Sequence, residues 1–151
     1  MTDVPAQATH SLPDHTGKTA AKRPVNVLYA EDMKELRDLM HHVLGREGYV
    51  LETCLNGRLA LDRLALALAS YDLLITDHHM PVMNGLELTR AVRRLPFPGK
   101  IIVFSSELSL SVRDEYLALQ VDRVLEKPIR PATLRQLLAE MFPVSPSMAQ
   151  A

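Results

Sequence analysis

The feature that most limits how this chain can fold is an alternation. Between residues 25 and 142, short apolar runs alternate five times with segments of helical periodicity. Residues 25–29, 50–55, 73–76, 100–104 and 121–125 read as strands. After the first, Leu36, Leu39, Met40, Val43 and Leu44 recur at i, i+3, i+4, i+7 and i+8, one face of a helix. Leu61, Leu64, Ala65 and Leu68 mark a second helix, and Leu88, Ala91, Val92 and Leu95 a third. A weaker pattern over 108–119 gives the fourth, and a fifth begins at Pro131, a residue suited to the first helical position. Strands alternating with helices predict an α/β, doubly wound parallel sheet of five strands with helices on both faces. In such sheets ligands bind beyond the carboxyl ends of the strands. What each strand delivers at that end is therefore where function is to be sought.

Composition sets the class. A hydrophobic content of 47% supports a real core, and a net charge of −1 gives no electrostatic footprint for nucleic acid or an anionic membrane. The one cysteine, Cys54, rules out an internal disulfide and a cysteine-built zinc site. No apolar run approaches the ~18–20 residues that span a bilayer, and the first residues lack a signal-peptide pattern. The expected location is the cytoplasm. Residues 1–24 and 143–151, rich in Pro, Ser and Thr or Ala without periodicity, are expected to be flexible tails around a domain at 25–142.

The strand ends collect reactive groups. Glu31 and Asp32 follow the first strand, Asp77 the third, Ser105 and Ser106 the fourth, and Lys127-Pro128 the fifth. Two carboxylates ~4 Å apart repel by about 4 kcal/mol at an effective dielectric of 20, so three together call for a cation. Lys127 or a divalent ion would serve, and oxygen-only ligands favour Mg²⁺ or Mn²⁺ over zinc. Asp77 is one of these three carboxylates, at the end of the third strand.

These pieces resemble the receiver domain of two-component response regulators, of the single-domain, chemotaxis-regulator-like kind, over roughly residues 25–142. The resemblance rests on Tyr29-Ala30-Glu31-Asp32, the D-x-x-M-P-x-M-N-G run from Asp77 to Gly85, Phe104-Ser105-Ser106, and Leu125-Glu126-Lys127-Pro128. It implies a sheet of order 2-1-3-4-5 and a cis peptide at Lys127-Pro128. It implies that Asp77 accepts a phosphoryl group from a phosphohistidine of a sensor kinase or phosphotransfer protein. Asp32, Asp77, the backbone carbonyl of His79 and, directly or through water, Glu31 would hold Mg²⁺, with Mn²⁺ as a substitute. Lys127 and Ser105 would each bind a phosphoryl oxygen, and the pull on Ser105 would move the loop behind it. His79, Ser106 and Glu107 are expected to modulate the site, His79 and Glu107 by shaping access of the attacking water. The implied partner surface, for a downstream target or a homodimer, comprises the fourth helix, fifth strand and fifth helix. The chain is then a phosphoacceptor with slow self-catalysed turnover, not a conventional enzyme. With no output domain after residue 142, it would signal by binding another protein or by phosphorelay.

Three positions depart from the family pattern. Val124 stands where an aromatic is usual, Gln120 replaces a glycine after the fourth helix, and Arg130 replaces a capping residue before Pro131. Competing readings are a phosphorylation-independent pseudo-receiver scaffold and a receiver excised from a larger regulator or hybrid kinase. A phosphatase resembling the haloacid dehalogenase family would need an acid where His79 stands. Simpler roles are also available. Asp77 suits a turn, Glu31 and Asp32 a helix start, Lys127 the solvated surface, and Ser105 a helix cap. The pair His78 and His79 could bind a transition metal, His41 and His42 suit a helix surface, and Cys54 suits a buried or half-buried apolar site. Leu59 and Leu66, off the main stripe of the second helix, are assigned to the core ahead of a partner face.

Overall fold

The computed structural model describes residues 23–143, so the tails expected at 1–24 and 143–151 fall outside it apart from residues 23, 24 and 143. Five strands, β1 (Asn26–Ala30), β2 (Val50–Cys54), β3 (Leu73–Asp77), β4 (Lys100–Ser105) and β5 (Arg123–Glu126), alternate with five helices. These are α1 (Lys34–Gly45), α2 (Gly57–Leu66), α3 (Gly85–Arg94), α4 (Leu110–Ala118) and α5 (Pro131–Met141), with one 3₁₀ turn, Leu68–Ser70, after α2. All strands are parallel, in the order β2-β1-β3-β4-β5. Register sets Ala30 beside Thr76, Asp77 beside Phe104 and Ser105 beside Glu126, so the carboxyl ends share one edge of the sheet.

The strand sequences explain this order. β3 is buried throughout and β4 nearly so, as their apolar runs require, while β2 and β5 carry exposed positions and lie at the edges. On one face Leu28, Leu74, Ile101 and Val103 pack with Ala60 and Leu64 of α2, Leu88 and Val92 of α3, and Tyr116 of α4. On the other, Tyr29, Ile75, Ile102 and Phe104 pack with Met40, Val43 and Leu44 of α1 and Leu134 and Leu138 of α5. Each fully buried leucine contributes about 1.5–3 kcal/mol relative to exposure, so these two layers dominate the stability.

Helix starts follow local chemistry. Asn84 and Glu87 form a reciprocal capping box on α3, and Asn56 caps α2 by accepting from Leu59 N at 2.9 Å. Ser109 accepts from Val112 N at 3.2 Å, which starts α4 at Leu110 rather than at 108. Ser105 is therefore not the cap of that helix. Arg130 gives α5 no side-chain cap, and Pro131 opens that helix, as the sequence predicts.

Two helix faces differ from expectation. Leu39 of α1 is 48% exposed. In α2 the buried residues are Gly57, Ala60 and Leu64, while Ala65 faces solvent and Leu61 and Leu68 are half-buried. The assignment of Leu59 and Leu66 to the core is overturned, for they are 45% and 86% exposed. Gly57 supplies the reason. Its N–H donates to Met83 O at 3.2 Å, and a Cβ there would sit 2.5 Å from the same oxygen. The glycine is thus pressed inward, and that fixes the rotation of the whole helix.

After α4 the backbone turns left-handed at Gln120, with φ 60°. The glycine conformation is kept without the glycine. Arg93 supports it, Nε donating to Leu119 O at 2.7 Å and Nη2 to Gln120 O at 2.8 Å. Because a side chain in this region is strained, Gln120→Gly is expected to raise unfolding free energy by about 1 kcal/mol, read from chemical denaturation midpoints. Lys127-Pro128 is cis.

Candidate functional site at the carboxyl edge of the sheet

The chain leaving β1 makes one more ladder bond, Glu31 N–H to Cys54 O at 3.0 Å, which carries Glu31 inward to 0% exposure. Asp32 follows at the surface. From the first turn of α1, Arg37 Nη1 donates to both Glu31 O and Asp32 O at 2.9 Å, so one guanidinium holds the backbone of the acidic pair. Asp77 ends β3, 5% exposed. The loop beyond it is fixed by His78 N–H to Phe104 O and by Gly85 N–H to His78 O, both 2.9 Å. Gly85 has to be glycine, since a Cβ would lie 2.4 Å from Asp77 O and 2.8 Å from the Tyr116 hydroxyl.

Lys127 arrives from β5, its N–H donating to Ser105 O at 2.8 Å. Its Nζ lies 3.0 Å from Asp77 Oδ1 and 3.3 and 3.4 Å from the two carboxylate oxygens of Glu31. Carboxylate oxygens of Glu31, Asp32 and Asp77 all lie within 4.8 Å of one another. Three acids thus meet one ammonium. Burial first, and Asp77 second, push the Glu31 carboxyl up to about 7, although Lys127 pulls it down. The same burial and the charge of Glu31 raise the Tyr29 phenol far above its ordinary value. An all-oxygen cluster short of positive charge is the donor set of a hard divalent cation such as Mg²⁺.

The remaining residues singled out by the sequence are spread around this centre. Ser105 is 1% exposed and follows Phe104, the register partner of Asp77. Its hydroxyl donates to Glu107 O at 3.2 Å and accepts from Glu107 N at 3.3 Å, so it is engaged with its own loop. Ser106 and Glu107 are exposed. Exposed His79, together with Asp32, Met80, Pro81 and Asn84, lines a cleft of about 410 Å³ at the mouth of the site.

One contact had no local signal in the sequence. His78 Nδ1 and the Tyr116 hydroxyl are 2.6 Å apart, joining the residue after Asp77 to a fully buried tyrosine of α4, 38 positions away. Burial lowers the His78 pKa, with His79 adding to the effect. The pairing gives that imidazole nitrogen a hydrogen-bond partner within the fold. A transition metal on His78 and His79 would have to take His78 through its other ring nitrogen, Nε2.

The family model described as the response regulator receiver domain matches residues 27–139. "Two-component response regulator ORR41" from Oryza sativa subsp. japonica is 31% identical over 122 residues, covering 80% of this chain and 96% of that protein. "Response regulator MprA" from Mycolicibacterium vanbaalenii is 33% identical over 118 residues, with 78% of this chain and 49% of that one covered. "Sensor histidine kinase AruS" from Pseudomonas aeruginosa is 31% identical over 148 residues, 94% of this chain but 14% of the kinase. The chain therefore spans nearly all of some relatives and a fraction of others. Among solved structures, the chemotaxis response regulator CheY4 of Vibrio cholerae superposes with a TM-score of 0.70 at 33% identity, covering 78% of this chain and 98% of that one. Sheet order, acidic pocket and family match agree, and the chain belongs to the receiver domains of two-component response regulators.

Proposed function

We propose that residues 25–142 act as a receiver in which Asp77 takes a phosphoryl group from a phosphohistidine of a sensor histidine kinase or phosphotransfer protein. The observation that carries this reading is the ammonium of Lys127, 3.0 Å from Asp77 Oδ1 inside the acidic trio. A carboxylate so placed is oriented for attack. An Asp77 oxygen forms the bond to phosphorus, the phosphorus–nitrogen bond of the donor breaks, and the donor imidazole leaves with the electron pair and takes a proton. Glu31, Asp32, Asp77 and the carbonyl of His79 would hold Mg²⁺, or Mn²⁺ in its place, which when bound supplies charge neutralisation at the phosphoryl oxygens.

Lys127 then binds one phosphoryl oxygen, giving up part of its hold on Glu31. Ser105 exchanges its bonds to Glu107 for another phosphoryl oxygen, and the loop of Ser106 and Glu107 moves with it. His79 and Glu107 govern how water reaches the acyl phosphate, which sets its lifetime. Output passes to a protein partner, or to a second copy, through the surface of α4, β5 and α5, where Leu110 is 81% and Leu117 is 54% exposed. Onward phosphoryl transfer is the other route. Turnover is slow and self-catalysed, so the chain works as a switch and not as a conventional enzyme. Among the described residues no helix is long and apolar enough to cross a membrane, and we place the protein in the cytoplasm.

Incubation with a small-molecule phosphodonor and Mg²⁺, followed by intact mass, tests this reading. One added phosphoryl group in the wild type and none in Asp77→Asn are expected. No uptake by the wild type would favour the phosphorylation-independent scaffold, and sustained release of phosphate at high turnover would favour a phosphatase.

A further inference from the structure

The rotation of α2 leaves a face with nothing against it among the described residues. Leu59, Asp62, Arg63 and Leu66 stand at i, i+3, i+4 and i+7, one side of the helix, and all four are exposed, the Asp62 and Arg63 side chains by 54% and 57%. Leu66 is 86% exposed, and Leu55, just before the helix, is 52% exposed. A groove lined by Leu55, Leu59, Asp62, Arg63 and Leu66 runs between this face and the end of β2. The charges on it balance, Arg58 and Arg63 against Asp62 and Glu52, in salt bridges at 3.2 and 3.6 Å that are open to solvent.

We infer that this face is a self-association surface, with α2 of a second copy packed antiparallel across a two-fold axis. The sequence carries the required symmetry. An axis passing between Asp62 and Arg63 sets Leu59 of each copy against Leu66 of the other. The same axis sets each Asp62 against the other copy's Arg63. In an isologous contact, residue i meets j while j meets i, so one apolar pair and one ion pair each occur twice. A partner whose face carried a single sign of charge would leave half of these groups opposed by like charge. The surface lies at the β2 edge of the sheet, opposite the β5 edge that carries the proposed output surface. A single helix-on-helix contact falls at the small end of specific interfaces, below roughly 1,200 Å² in total, so the dimer is a weak one set by concentration.

Sedimentation equilibrium of the full chain from about 10 μM to about 1 mM tests this. The wild type is expected to show a monomer–dimer equilibrium. Asp62→Arg alone and Arg63→Asp alone each place like charges in both ion pairs, and each should weaken association at least tenfold. An equimolar mixture of the two variants should recover it, because one copy then presents two adjacent arginines to the two adjacent aspartates of the other. Both substitutions are at solvent-exposed positions, and circular dichroism confirms that each variant is folded. A wild type that stays monomeric throughout would overturn the inference. So would a dimer indifferent to both reversals, as one built on α4, β5 and α5 would be, or a mixture that fails to recover.

Discussion

Replacing Lys127 with methionine is expected to slow phosphoryl uptake from a small phosphodonor by about 100- to 1,000-fold at saturating Mg²⁺, the usual cost of losing one preorganised charge donor. The side chain is half-buried and its Nζ is already within 3.0 Å of Asp77, so little reorganisation precedes reaction. Methionine keeps most of the stem, which lines an apolar cavity of about 240 Å³ with Tyr29, Phe104 and Pro131, so packing is preserved while the charge is lost. Stopped-flow or quenched-flow measurement of the phosphorylation rate decides the matter. A variant within tenfold of wild type would show that Lys127 is a structural counter-ion and no more.

The second large effect is a dependence of stability on pH with an unusual sign for an acid. Folding raises the Glu31 carboxyl from 4.5 to about 7, chiefly by burial. The folded state therefore holds this proton more tightly than the unfolded chain. The stabilisation is fully present below about 4.5 and is lost as pH rises through about 7. At 1.36 kcal/mol per pH unit, the metal-free protein should lose about 3 kcal/mol from this group across that window. Other groups titrate there too, so the quantity to read is the difference between wild type and Glu31→Gln in urea denaturation at a series of pH values. The two curves should diverge with rising pH, the wild type falling relative to the variant, and Mg²⁺ should close part of the gap by binding the ionised, folded form. Parallel curves would mean that Glu31 sits in a better-solvated place than its full burial implies.

Much of this site is legible in the sequence because α/β alternation fixes where strand ends go. Once five apolar runs alternate with helices, Glu31, Asp32, Asp77, Ser105 and Lys127 must gather at one edge, whatever the exact strand limits. The limits themselves shift by a residue or two. β5, for example, begins at Arg123 rather than at 121, because apolar character alone cannot tell a strand from the turn that feeds it. Helix rotation is harder to read. The periodicity of α2 offers several apolar stripes, and the close approach of Gly57 to Met83, 26 positions on in the numbering, chooses among them. That is why Leu59 and Leu66 are misassigned from sequence. The bond between His78 and Tyr116 is invisible for the same reason, since it depends on how α4 lies against the loop after β3. The left-handed turn at Gln120 is readable only from the family's glycine, because glutamine has no preference that announces it.

The central claim is that the phosphoryl group is carried as an acyl phosphate on Asp77. Borohydride reduces an acyl phosphate to an alcohol, so treatment of the phosphorylated protein, followed by peptide mass spectrometry, marks the modified carboxyl. The account predicts homoserine at position 77 and at no other acidic position, and none when Mg²⁺ is withheld by chelation. A phosphoryl group found on His78, His79 or Ser105, or a reduced carboxyl at position 31 or 32, would contradict it.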